Sequence, residues 1–144
     1  MNHSLSGRRV LVVEDEMIVA WLLEDMLANL GYQAVGPAAR VDQALAMINE
    51  EAIDAAVLDV NLNGQTSYSV ADALTVRDVP FVFSTGYDKT RLLDSYRSFQ
   101  VLQKPYQQVE LRDALAKLLT LNEADEKMQS RRSTRDVKKY SSFA

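Results

Sequence analysis

AAVLDVNLNG (residues 55–64) sets four apolar residues, Ala55 to Leu58, in front of an aspartate and then enters an asparagine–glycine turn. A short apolar run bounded by turn residues reads as a strand covered on both faces. Asp59 therefore stands at the carboxyl end of that strand. A carboxylate in such a place is costly unless something pairs with it. Two readings follow: Asp59 caps a loop, or it does chemistry at a strand end.

Short apolar runs alternate with longer amphipathic ones on both sides of this stretch. RVLVV (9–13), YQAVGPA (32–38), DAAVLDV (54–60), PFVFST (80–85) and VLQ (101–103) read as strands. MIVAWLLEDMLANLG (17–31), VDQALAMINEE (41–51), TSYSVADALTVRD (66–78), KTRLLDSYRS (89–98) and QVELRDALAKLLTL (108–121) read as helices, the first closed by Gly31. Five βα units predict an α/β fold with a parallel sheet covered on both sides. With right-handed crossovers, the expected fold is the flavodoxin-like (βα)5, strand order 2-1-3-4-5, with its ligand site between strands 1 and 3.

At 144 residues the chain fits one ordinary domain. Residues 1–7 read as an N-terminal arm, 8–121 as the domain and 122–144 as a polar, partly basic tail. The net charge of −4 argues against non-specific nucleic-acid binding by the domain. Without cysteine there is neither a disulfide nor a thiolate metal site. MNHSLSGRRV (1–10) has no apolar signal core, and no apolar stretch approaches the roughly 18 residues of a membrane span. The expected setting is the cytoplasm. His3, the only histidine, reads as an arm residue without a role.

In open α/β sheets ligands gather at the carboxyl ends of the strands. Here those ends carry Glu14-Asp15, Asp59, Ser84-Thr85-Gly86 and Lys104-Pro105. Each pair alone has a plain reading as a helix cap, a turn or a loop. Together they place three acids, a hydroxyl and a lysine on one edge. Clustered carboxylates repel and raise one another's pKa. A hard divalent cation, Mg²⁺ or Mn²⁺, relieves that repulsion. The lysine and the hydroxyl suit phosphoryl oxygens, and an aspartate can act as a nucleophile toward phosphorus.

These landmarks resemble the signature of response-regulator receiver domains of two-component signalling, over roughly residues 8–121. The resemblance implies that Asp59 accepts a phosphoryl group from a histidine kinase or a histidine phosphotransferase. It implies that Glu14, Asp15 and Asp59, with the backbone carbonyl of Asn61, hold the metal. Thr85 and Lys104 would contact the phosphoryl group, and Lys104-Pro105 would be a cis peptide. PFVFSTGYD (80–88) is similar to the Pro-Phe-x-Phe-(Ala/Ser)-Thr-Gly-Tyr pattern of a subgroup of stand-alone alphaproteobacterial receivers. The implied activity is confined to the protein's own phosphorylation and dephosphorylation. Output would pass through protein contact or phosphorelay, or the chain would drain a kinase as a phosphate sink.

Three positions depart from the usual receiver pattern. The acidic pair is Glu-Asp, with Glu14 acting through water. Asn63 stands where many receivers have proline, which implies a looser loop after Asp59. Val101 stands where most carry the aromatic switch ring, and Tyr87 is the favoured replacement, ahead of Phe99. On the first helix, Met17 and Trp21 are expected on the solvent side with Glu24 and Asp25, as a partner-binding face. Val19, Leu22, Leu23, Met26 and Leu30 are expected to face the sheet.

Rival chemistries fit less well. A haloacid-dehalogenase-type phosphatase needs a second aspartate two residues after the nucleophile, and that position is Asn61. Neither G-x-G-x-x-G nor the P-loop motif is present. The residues after Leu121 are too few for a helix-turn-helix domain, so nucleic-acid binding would have to come from the tail.

Overall fold

The computed structural model describes residues 7–86, 92, 96 and 99–120. Along the chain run β1 (Arg9–Val13), α1 (Met17–Asn29), β2 (Gln33–Ala38), α2 (Val41–Glu50), β3 (Ala55–Asp59), β4 (Asn61–Leu62), β5 (Gln65–Thr66), α3 (Tyr68–Val76), β6 (Phe81–Thr85), β7 (Val101–Gln103) and α4 (108–120). The five-stranded sheet has the order β2-β1-β3-β6-β7, all parallel. This is the flavodoxin-like order read from the sequence, once the small ribbon β4-β5 is set aside. The predicted helix 89–98 falls mostly outside the described residues, as do residues 1–6 and 121–144.

Both faces of the sheet are covered, which explains why its central strands are continuous apolar runs. Successive side chains point to opposite faces. Leu11, Val13, Ala56, Leu58 and Phe83 pack on one side with residues of α2 and α3. Val10, Val12, Ala55, Val57 and Val82 pack on the other with residues of α1 and α4. The register sets Val13 beside Leu58, Asp59 beside Ser84 and Thr85 beside Gln103. The carboxyl ends of four strands therefore meet along one edge.

Two expectations are corrected. Asn63-Gly64 does not loosen the loop after Asp59. It closes the antiparallel ribbon β4-β5, with Asn63 at φ 52° and Gly64 at φ 86°. Positive φ at both central residues is what a two-residue hairpin needs, and Asn-Gly meets it cheaply. The loop after Asp59 is thus a defined hairpin and not a loosened segment.

The second correction concerns α1. Ala20, Leu23 and Leu27 form its buried line, and small Ala20 admits close approach to the sheet. Leu22, expected against the sheet, is 55% exposed. It lies one side step from that line and borders a groove shared with Val19, Met26, Pro105 and Tyr106. Val19, Met26, Leu30 and the expected solvent residue Glu24 are half-buried. Met17 and Trp21 are exposed, at 49% and 58%.

Candidate functional site

The edge where the strands end holds a cleft of about 390 Å³, lined by Asp15, Glu16, Asp59, Asn61, Asn63, Gly64, Thr85, Gly86 and Lys104. Glu14 follows β1 directly and is buried, as is Asp59 at the last position of β3. Asp15 is half-buried beside them. One carboxylate oxygen from each of Glu14, Asp15 and Asp59 lies within 4.8 Å of the others. Lys104 follows β7, and its main chain is fixed by its N–H donating to the Thr85 carbonyl at 2.8 Å. Its Nζ donates to Glu14 Oε1 at 2.6 Å and to Asp59 Oδ2 at 3.2 Å. The Lys104–Pro105 peptide is cis.

The electrostatics follow from that packing. Burial pushes the Glu14 carboxyl up from its ordinary 4.5 to about 7; the Lys104 ammonium pulls it down, and the Asp59 charge pushes it up again. Burial alone would lower the Lys104 ammonium, but its bond to Glu14 and the charges of Asp59 and Glu14 outweigh burial and raise it. Lys104 is therefore a firm cation between two carboxylates.

Three hydrogen bonds set the rim of the cleft. Asn63 N–H donates to Asp15 Oδ2 at 3.0 Å, so the hairpin orients a candidate metal ligand. Gly64 N–H donates to Asn61 Oδ1 at 2.8 Å, which holds Asn61 in the turn. Ser67, fully buried, donates from Oγ to the Asp59 carbonyl at 2.6 Å. Sequence reading missed Ser67. A serine just before a helical apolar run signals an N-cap, yet this hydroxyl serves the main chain of Asp59 and caps nothing.

The predicted site residues Asp15, Asp59, Asn61, Thr85 and Lys104 thus line one cleft, and Glu14 is buried against it on Lys104. Met17 and Trp21 lie apart from it on α1. Tyr87 lies outside the described residues.

The donor set is hard oxygen, with carboxylates close enough to share one ion, and it suits Mg²⁺ or Mn²⁺. The model of the response regulator receiver domain matches residues 10–116. The chain belongs to this family. As a receiver it is 41% identical to SdrG from Sphingomonas melonis Fr1, covering 82% of this chain and 97% of that one, with TM-score 0.67. A structure described as the BeF3-activated conformation of SdrG from Pseudomonas melonis Fr1 is 44% identical over 79% of this chain and 98% of that one, with TM-score 0.70. The receiver domain of the sensor histidine kinase PA1611 from Pseudomonas aeruginosa PAO1, with a magnesium ion in its active-site cleft, is 25% identical. It covers 80% of this chain and 99% of that one, with TM-score 0.66. Among curated proteins, sporulation initiation phosphotransferase F of Bacillus subtilis is 26% identical, over 81% of this chain and 98% of its own length. Among the described residues no helix is long and apolar enough to cross a membrane.

Proposed function

We propose that this receiver acts as a single-domain response regulator in the cytoplasm. Asp59 accepts a phosphoryl group from a phosphohistidine of a sensor histidine kinase or histidine phosphotransferase, with Mg²⁺ required. Residues 8–121 are the receiver under this reading, with 1–7 and 122–144 outside it. The observation that carries it is the strand-end cluster, in which Lys104 bridges Glu14 and Asp59 while Asp15 stands within reach of both.

The chemistry is a transfer between two nucleophiles. An Asp59 carboxylate oxygen forms a bond to phosphorus as the bond from phosphorus to the imidazole nitrogen breaks, and the imidazole takes up a proton. Lys104 Nζ, already against Asp59, turns to the phosphoryl oxygens and offsets their charge. The Thr85 hydroxyl donates to another of those oxygens. Glu14, Asp15, Asp59 and the Asn61 carbonyl would hold Mg²⁺, which when bound lowers the charge repulsion between the carboxylate and the phosphoryl group. Asn61 lacks a carboxylate that would assist hydrolysis, which favours a lasting acyl phosphate.

Output runs through protein contact or phosphorelay. The match along nearly the whole length of a phosphotransferase favours relay over a terminal phosphate sink. Met17 and Trp21, exposed on α1, are proposed as part of the partner face: an exposed tryptophan beside a methionine suits a binding hot spot. Tyr87 is proposed to follow Thr85 when that residue moves.

A phosphotransfer time course with a phosphorylated histidine donor and Mg²⁺ tests the central claim. Asp59→Asn abolishes labelling, and a label that persists in the variant removes the mechanism. Trp21→Ala slows transfer without loss of stability; an unchanged rate removes the docking claim. Tyr87→Ala labels normally but loses partner binding, and surviving partner binding removes the switch claim.

A further inference from the structure

Val101 leaves the receiver without a ring at the usual position of the switch, yet the region next to it is dense with aromatics. Phe83 precedes Ser84-Thr85 on β6 and pairs in register with Val101. Its ring meets those of Tyr68, Tyr96, Phe99 and Phe81 edge-on, at 6.1, 5.9, 6.4 and 5.3 Å. Tyr68 opens α3 immediately after Ser67, whose hydroxyl holds the carbonyl of Asp59. Tyr68 and Tyr96 stack face to face, 4.3 Å apart and 17° from parallel. Tyr96 then reaches Asp72, one turn further along α3, with its hydroxyl 2.7 Å from Oδ1.

Tyr68 therefore touches both arms of the site. Through Ser67 it is tied to the main chain of the phosphoacceptor. Through Phe83 it packs on the strand that carries Thr85. A close-packed cluster cannot absorb a shift at either arm without passing it to a neighbour. One face of the Tyr68 ring is covered by Tyr96, which belongs to the stretch between β6 and β7.

Resting on the phosphoacceptor reading of Asp59, we infer that Tyr68 is the positioning residue through which the state of Asp59 reaches the Tyr96 segment, a route distinct from the movement of Tyr87 with Thr85. The stack is the contact that changes, and Asp72 marks its resting position. This route needs no ring on β7.

Hydrogen–deuterium exchange of the full chain, with and without beryllofluoride and Mg²⁺, tests this directly. In the wild type the peptide carrying Tyr96 changes its exchange rate on activation. Tyr68→Leu keeps an apolar side chain at this position but removes the ring and with it the stack. It labels Asp59 at a rate within about twofold of wild type, and the activation response at Tyr96 falls severalfold, the range expected of a single coupling contact. Tyr96→Phe keeps the ring, loses only the bond to Asp72 and retains the response. Tyr96→Leu removes the same stack from its exposed side and reproduces the loss if Tyr68→Leu does not fold. A response of wild-type size in either leucine variant overturns the inference. So does a wild type that labels without any change at Tyr96. A wild type that never labels at Asp59 overturns the phosphoacceptor reading itself, a distinct outcome.

Discussion

Lys104 Nζ lies 2.6 Å from Glu14 Oε1 although 90 residues separate them in the chain. The bond joins the ends of two strands that are not neighbours in the sheet, across the buried carboxylate of Asp59. An ammonium held there bonds both acids at once, and under the proposed function it would meet the oxygens of an incoming phosphoryl group.

Lys104→Met keeps most of the length of the side chain and removes its charge. Asp59 labelling from a phosphohistidine donor should slow by about two orders of magnitude, the usual cost of one positioned cation or donor. Stability should fall by only about 1–3 kcal/mol, because Glu14 escapes the uncompensated charge by taking up a proton. Single-turnover labelling and urea unfolding measure the two effects separately. A labelling rate equal to wild type contradicts the assigned role.

The raised carboxyl of Glu14 makes the metal-free protein lose stability as pH rises. Unfolded, Glu14 titrates near 4.5; folded, it titrates at about 7. Below pH 4.5 both states hold the proton and nothing is lost. Between 4.5 and about 7 the folded state retains the proton that the unfolded state has released, so stability falls with pH by at most about 1.4 kcal/mol per unit. Above 7 the loss is complete and constant. The other carboxylates titrate as well, so the comparison is with Glu14→Gln. Urea unfolding in chelator should show the wild type losing stability relative to that variant across this window, and parallel curves contradict the assignment.

The parallel sheet was legible because both its faces are buried: central strands written as unbroken apolar runs separated by helical periods admit few other folds. Asp59, Lys104 and the acidic pair were legible because strand order alone brings strand ends together. The hairpin was misread although Asn63-Gly64 is a strong hairpin signal, because two-residue strands carry no pattern of their own. Leu22 was misplaced because 100° steps rank directions but do not show how wide the seat beneath a helix is; Ala20 narrows it to one line. Ser67 escaped because a hydroxyl that serves a carbonyl eight positions earlier in the chain leaves no mark distinct from a cap.

Gly36 in β2 should tolerate no side chain. Its φ is +100°, and an added Cβ would sit 2.9 Å from the Ala38 nitrogen and 3.0 Å from the Val12 carbonyl oxygen. Both are backbone atoms of the sheet and cannot swing away. Gly36→Ala should cost about 2–3 kcal/mol, combining left-handed strain with the clash. Tm should drop by roughly 6–15 °C. Labelling of Asp59 in the folded fraction should be unchanged, because Gly36 lies outside the cleft. Thermal melts and a labelling assay at low temperature check both halves.

Asn63→Pro, which restores the residue many receivers carry, should impair this one. Proline fixes φ near −65° and has no N–H, whereas Asn63 sits at φ 52° and donates its N–H to Asp15 Oδ2. The substitution breaks the hairpin turn and releases a candidate metal ligand in one step. Stability should fall by about 3 kcal/mol. The Mg²⁺ concentration for half-maximal labelling should rise about tenfold, as when a partner that orients a ligand is lost. Asn63→Gly separates the two causes from a general effect of mutation: it keeps both the positive φ and the N–H, so its Mg²⁺ dependence should match wild type. If Asn63→Pro matches wild type as well, the hairpin does not orient Asp15. If Asn63→Gly fails as badly as proline, the asparagine side chain and not the main chain is what the site requires.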